Sequence, residues 1–122
     1  MKIKMYCIFA RESIDKMKGI RGKMCTQSGH AYLHGFWDSA KRFPEHAQAY
    51  VNSDHAYKIT LIVPTVADLE QLYESYKDKC GITLVKDAGF TVFNEPTITC
   101  LGIGPIPEDL VGDDLKAIKT FT

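Results

Sequence analysis

The sequence has no net charge at neutral pH and no long apolar segment. Its 122 residues contain 15 Lys and Arg against 15 Asp and Glu, so contact with nucleic acid would require a local cluster of positive side chains. No stretch approaches the roughly 20 apolar residues of a membrane-spanning helix, and the N-terminus lacks the pattern of a secretory signal. We therefore expect a cytoplasmic protein that makes no membrane contact, with one domain over residues 1–122.

Several motifs of well-known catalytic sites are absent. There is no Gly-x-Ser-x-Gly elbow of a serine hydrolase, and the glycines before Lys23 lack the spacing of a phosphate-binding loop. His30 and His34 stand four residues apart, but no glutamate lies between them as in His-Glu-x-x-His zinc hydrolases. These absences predict a site without metal or organic cofactor.

The cysteines show neither a Cys-x-x-Cys pair nor the spacing of zinc ligands. Since free cysteine packs as a small hydrophobic residue, we expect all of them to be buried free thiols. They are Cys7, Cys25, Cys80 and Cys100.

The order of apolar patterns predicts an α/β fold. The third and fourth strands are joined by about ten residues, which is too short for a crossover helix, so the four-stranded sheet is expected to be mixed. The predicted strands are Ile3 to Ala10, Tyr57 to Val63, Ile82 to Val85, and Thr97 to Leu101, the last ended by Gly102 to Pro105. The predicted helical segments are Lys23 to about Trp37, Asp38 to Asn52 with a break at Pro44, a helix capped by Thr65 and ended by Gly81, and a helix from Pro107.

A cluster of positive charge lies in the polar connection predicted between the first strand and the first helix. With Glu12 and Asp15 counted against them, its basic side chains leave a local excess of three positive charges. Such a cluster can hold phosphates, and the alternative is a solvated loop. The basic residues are Arg11, Lys16, Lys18, Arg21 and Lys23.

The first predicted helix carries a polar stripe next to this cluster. At ~100° per residue, Lys23, Gln27, His30 and His34 fall within a sector of ~60°. Small residues occupy much of the remaining surface, which would let the helix sit close to a sheet. The stripe is therefore a candidate site.

A second set of polar groups follows the predicted strand pair near the C-terminus. Asp87 stands at the carboxyl end of one strand and precedes Gly89, while Thr97 and Thr99 lie on the returning strand. α/β proteins commonly place ligand-facing groups at such strand ends. A turn-capping aspartate beside ordinary strands is the alternative.

Both sets of residues resemble motifs of the type II peptidyl-tRNA hydrolases. Gly22-Lys23, Gln27 and His30-Ala31 resemble the Gly-Lys-x-x-x-Gln-x-x-His-Ala pattern of that family. The segment from Asp87-Ala-Gly-x-Thr to the final Thr-x-Leu-Gly-Ile-Gly-Pro is similar to a second motif, with the same number of residues between aspartate and proline. The resemblance implies a three-layer α/β/α fold, a homodimer and cofactor-free cleavage of the ester that joins peptide to the 3′-terminal ribose of tRNA.

The same resemblance assigns the site residues. It implies that the catalytic residues are Lys23, Asp87, Thr99 and His30. It implies that the tRNA or the peptide is bound by Lys16, Lys18, Arg21, Gln27, Thr91 and Thr97.

The sequence also departs from the family beside Asp87. Phe90 replaces a usual arginine or histidine, Val92 replaces a glutamine or glutamate, and Asn94-Glu95-Pro96 replaces a loop of the Ala-Pro-Gly kind. These changes keep two alternatives open: an RNA-binding module without catalysis, and a protein-interaction module on the same fold.

Overall fold

The computed structural model describes residues 2–18, 20–89 and 95–122. It forms a mixed α/β fold with five strands in the order β3-β4-β1-β2-β5. β1 pairs in parallel with β2, whereas β4 is antiparallel to both β1 and β3. The strands are β1 (Ile3–Ala10), β2 (Lys58–Val63), β3 (Ile82–Asp87), β4 (Thr97–Pro107) and β5 (Lys119–Thr120).

The prediction of four strands is wrong, because the chain adds β5 at the edge of the sheet. Thr120 and Lys119 pair antiparallel with Leu61 and Ile62 of β2. A strand of two residues is too short to show the alternation by which strands are recognised. β4 also continues through Gly102 to Pro105, which had been expected to end it.

The helices lie between the strands in the predicted order, with different bounds. The segment after β1, predicted as a polar connection, contains a short helix, and the first long helix runs on past Trp37. After β4 come a 3₁₀ turn at Glu108–Leu110 and a single helical turn instead of one continuous helix. The helices are α1 (Arg11–Lys16), α2 (Arg21–Arg42), α3 (Pro44–Val51), α4 (Val66–Tyr76) and α5 (Asp113–Lys116). None of the helices in the described ranges is both long and apolar enough to span a bilayer.

Successive side chains of β1 enter two different clusters. Tyr6 and Ile8 pack in a cluster with Leu69 of α4. Cys7, which lies between them in the sequence, belongs to a second cluster with Ala31 of α2. This is the alternation of a strand covered by apolar partners on both sides.

α2 approaches β4 more closely than side chains would allow. A Cβ atom added to Gly102 would lie 2.2 Å from the carbonyl oxygen of Ala31, and one added to Gly35 would lie 3.5 Å from the carbonyl oxygen of Gly104. The prediction that small residues let this helix sit against the sheet is confirmed. The contact fixes the distance between α2 and β4, the strand that carries Thr97 and Thr99.

Candidate active site

A buried ion pair joins the start of α2 to the end of β3. The Nζ atom of Lys23 lies 2.5 Å from Oδ2 of Asp87, and the two side chains are 18% and 6% exposed. Lys23 is in the first turn of α2 and Asp87 is the last residue of β3. The two motifs that the sequence placed 64 residues apart therefore form one site.

The environment of Asp87 keeps it ionised. The contact with the Lys23 ammonium group lowers the pKa of the Asp87 carboxyl below its ordinary value, against the opposing effect of burial. The backbone N–H of Gly89 also donates to Oδ1 over 2.8 Å and lowers the pKa further. A carboxylate that already accepts two such contacts is held in one orientation and is a weaker base than a free one.

Gln27 and Thr99 form a second contact between α2 and the sheet. The Thr99 hydroxyl donates to Oε1 of Gln27 over 2.6 Å, and both residues are buried. Gln27 therefore leaves the polar surface stripe that the helix pattern predicted and faces the sheet one turn after Lys23. Its Oε1 accepts from Thr99, which orients the amide group.

An extra residue in β4 decides which side of the sheet the two threonines face. Val85 pairs with Cys100, but the next residue of β3 pairs with Ile98, so Thr99 has no counterpart on β3. This is a β-bulge, and it re-aims the residues around it. As a result Thr99 and Cys100 both contact Gln27 of α2.

Thr97 lies directly opposite Asp87 in the β3–β4 ladder. It is buried, and its hydroxyl donates to the carbonyl oxygen of Glu95 over 3.0 Å. Opposed residues of antiparallel strands share a face of the sheet, so Thr97 flanks the ion pair. Thr91, Phe90 and Val92 lie outside the described residues.

The basic residues at and before the start of α2 are exposed. A serine in the same segment donates a hydrogen bond to the sheet. Lys16 ends α1, Lys18 follows it, and Arg21 begins α2. Ser13 of α1 donates to the carbonyl oxygen of Ile98 over 2.6 Å, beside the bulge. Sequence reasoning missed Ser13, because a lone serine in a polar segment carries no signal of a partner 85 residues away.

Glu12 forms no ion pair with these basic residues within the described part of the chain. Its Oε1 accepts from the backbone N–H of Val66 over 2.8 Å, at the first residue of α4. The carboxylate is thus engaged at the positive end of another helix.

His30 is exposed on α2, apart from the buried contacts. Its ring centroid is 5.3 Å from that of His34, which in turn is 5.3 Å from that of Trp37. Within the described part of the chain, no hydrogen bond joins His30 to Lys23 or Asp87. Over residues 2–18, 20–89 and 95–122, no three His, Cys, Asp or Glu side chains are grouped so as to hold a metal ion.

Comparison with known proteins identifies the family of this chain. The sequence profile of the family described as Peptidyl-tRNA hydrolase PTH2 matches residues 3–121. A protein named peptidyl-tRNA hydrolase from Sulfurisphaera tokodaii is 42% identical, over 91% of this chain and 95% of its own length. Proteins of the same name from Methanothermobacter thermautotrophicus and Thermococcus onnurineus are 34% and 33% identical, over 80% and 78% of this chain and 88% and 80% of theirs. The chain belongs to the peptidyl-tRNA hydrolase PTH2 family.

Proposed function

We propose that this chain hydrolyses peptidyl-tRNA at a site centred on Lys23 and Asp87, and so recycles tRNA from aborted translation. The observation that carries the proposal is the ion pair between Lys23 Nζ and Asp87 Oδ2, which is 2.5 Å long and largely buried. It lies in a chain of the peptidyl-tRNA hydrolase family, where the two motifs that supply it were expected to meet.

The reaction requires water to attack the ester carbonyl carbon. The bond from that carbon to the ribose oxygen then breaks, one proton of the water passes to the ribose oxygen, the other is released to solvent, and the peptide leaves as a carboxylate. Negative charge develops on the carbonyl oxygen during the attack. A positioned cation such as Lys23 stabilises that charge, and stabilisation of this kind is a large part of catalysis in acyl transfer.

Asp87 orients Lys23 and the attacking water. An ammonium group has three N–H donors, and Asp87 is the one acidic partner of Lys23 within the described residues. Because its pKa is lowered, Asp87 is suited to accepting hydrogen bonds from water more than to removing its proton at neutral pH. The contacts of Asp87 with Lys23 and with the backbone N–H of Gly89 support positioning as its role.

Gln27 and Thr99 are buried between α2 and β4, one helical turn from the ion pair. Thr99 is fully buried, so its predicted catalytic role becomes that of a positioning residue that orients Gln27. The amide nitrogen of Gln27 is then the donor left for the substrate. Thr97 and Thr91 are proposed to contact ribose or peptide, His30 to contact the substrate from the exposed face, and Lys16, Lys18 and Arg21 to bind phosphates.

Other expectations stand beside this function as proposals. The alternation of β1 between two clusters supports the three-layer arrangement in one domain. A homodimer, a cytoplasmic location and a reaction without cofactors follow from the family. Each is open to direct measurement.

The test is release of the peptide from an N-blocked aminoacyl-tRNA. We expect cleavage by the wild type, unchanged by chelator, with a loss of tens-fold or more in Lys23→Ala and in Asp87→Ala, equivalent to about 2 kcal/mol or above. Lys116→Ala, an exposed lysine of α5, is the matched control and should retain wild-type rates.

No cleavage by well-folded wild type would overturn the proposal. Salt-sensitive tRNA binding without cleavage would then indicate an RNA-binding module. If neither binding nor cleavage were seen, a protein-interaction module would be indicated instead.

A further inference from the structure

Three exposed aromatic rings, His30, His34 and Trp37, form a row on α2 that we call the aromatic ladder. The ring planes of His30 and His34 are inclined by 33°, and those of His34 and Trp37 by 23°. Trp37 is 52% exposed, and both histidines are exposed as well. The rings therefore contact one another while keeping much of their surface open to water.

The aromatic ladder starts beside the candidate active site and leads away from it. At ~1.5 Å per residue, its rings lie roughly 10, 16 and 21 Å along the helix axis from Lys23. At ~100° per residue, all three point within ~40° of the direction of Lys23. The ladder thus lies on the same side of α2 as the residue proposed to stabilise the reacting ester.

Lys41 places an exposed positive charge on this side of α2. Lys41 stands 18 residues after Lys23, which is five whole turns, so a lysine marks each end of the ladder. The single acidic residue of α2, Asp38, is turned elsewhere. Its Oδ2 lies 2.6 Å from Nη2 of Arg42 and accepts from the backbone N–H of Ile82 over 3.0 Å.

We propose that the aromatic ladder binds the single-stranded 3′ nucleotides of the RNA substrate by base stacking, so that the terminal ribose reaches Lys23. The inference rests on the proposed function, because it names the surface that takes the RNA end of the same substrate. Bases splayed from a single strand stack on Trp and His rings without need of a particular sequence. Lys41, which is exposed, is placed to attract a phosphate of that strand.

A second copy of this chain is a poorer occupant. In an antiparallel twofold contact of this face, Lys41 of one copy would approach Lys23 of the other, where the carboxylate of Asp87 is already engaged by Lys23. The cores of protein interfaces are depleted in lysine. RNA would instead bring phosphates to Lys41 and its terminal ester to Lys23.

Trp37 provides the measurement, because it is the sole tryptophan of the chain. Its emission would be titrated with a short single-stranded RNA ending in CCA, and with the same sequence as a blunt duplex. We expect saturable quenching by the single strand, weaker at high salt, and little by the duplex. His34→Ala should weaken the affinity by about fivefold or more, since stacking of one base contributes at least that much.

The matched control is Tyr57→Ala. Tyr57 is 45% exposed and its ring lies 5.1 Å from that of His55, but it precedes β2 and so lies at the edge of the sheet opposite Asp87. Its loss should leave the affinity for RNA unchanged. Equal quenching by strand and duplex, or an unchanged affinity for RNA in His34→Ala, would overturn the proposal that the aromatic ladder binds single-stranded RNA. Trp37 emission that depends on protein concentration without RNA would also do so, in favour of a second copy.

The two proposals fail separately. Asp87→Asn should abolish cleavage and leave the quenching of Trp37 intact. Trp37→Ala should raise KM for peptidyl-tRNA by about fivefold or more and lower kcat less. Quenching by RNA without any cleavage by wild type would refute the hydrolase, whereas cleavage with no quenching would refute the ladder.

Discussion

Thr99 donates its hydroxyl proton to Oε1 of Gln27 over 2.6 Å, across 72 residues of sequence and in a fully buried position. Replacing Thr99 by Val keeps the shape of the side chain and leaves a buried amide oxygen without its donor. We expect the free energy of unfolding to fall by about 1–3 kcal/mol and kcat to fall with it. Urea unfolding and ester cleavage check this, with Thr99→Ser, which keeps the hydroxyl, as the control. A loss in Thr99→Ser without a loss in Thr99→Val would show that the methyl group matters and the hydrogen bond does not.

The Lys23–Asp87 pair predicts a non-additive effect on stability. Lys23→Met should leave the 6% exposed Asp87 side chain without its cation, a change that costs about 3–5 kcal/mol in a fully buried pair. Since Lys23 itself is 18% exposed, we expect the lower end of that range. The double variant Lys23→Met, Asp87→Asn should be more stable than Lys23→Met alone. Chemical unfolding of the four proteins in the cycle measures the coupling, and additive losses would contradict a buried pair.

The lowered pKa of Asp87 predicts how stability depends on acid. A carboxyl whose folded pKa lies below its unfolded value near 3.9 contributes stability that is complete above that value and is lost as pH falls through the folded pKa. The difference in unfolding free energy between wild type and Asp87→Asn should therefore be constant from pH 7 to about 5 and narrow below about 4. Asp54→Asn, at an exposed carboxyl, is the control. A difference in unfolding free energy that widened in acid would contradict a lowered pKa of Asp87.

The close approach of α2 to β4 predicts opposite effects for two glycines. Gly102→Ala places a Cβ atom 2.2 Å from the carbonyl oxygen of Ala31 and should lower the unfolding free energy by about 1–3 kcal/mol. Gly29→Ala meets nothing within 4 Å and should raise it by about 0.5–1 kcal/mol, because alanine is the better helix former. Thermal unfolding checks both. If Gly102→Ala left the unfolding free energy unchanged, α2 would be able to move away from β4 without cost.

The cysteines predict a simple labelling pattern. Cys25 is exposed, contrary to the expectation that all four thiols are buried, whereas Cys7, Cys80 and Cys100 are buried. Contact with Cys100 and burial raise the pKa of the Cys7 thiol, and burial raises that of Cys80 to about 12. A thiol reagent should therefore modify one cysteine per folded chain at once and the rest only after unfolding. The Cys25→Ser variant should lose the fast reaction.

Much of the site was predictable because its residues occur in two dense motifs. The helix pattern placed Lys23 and Gln27 one turn apart, and the glycine after Asp87 marked the end of a strand. The capping of a helix by Thr65 was also predicted and is present, as a capping box with Asp68. These features depend on residues near one another in the sequence, where spacing and turn chemistry carry the information.

The parts that could not be predicted depend on long-range contacts. The exposure of Cys25 and the burial of Gln27 follow from which side of α2 meets β4, and a helix with many small residues shows no clear apolar stripe. The edge strand β5 is defined by its pairing with Leu61 and Ile62, and its two residues have no periodicity. Ser13 is linked to Ile98 by a hydrogen bond that no local pattern announces.

The unpaired position of Thr99 in the β3–β4 ladder makes the site depend on the length of β4 as well as on its side chains. Removing Ile98, which pairs with Lys86, would restore regular alternation, and Thr99 would then stand opposite Lys86 and face away from Gln27 although every polar side chain of the site were kept. Scanning by substitution changes side chains one at a time and would not detect the dependence on the length of β4. A one-residue deletion would reveal it. In this strand, chain length is itself part of the specification of the active site.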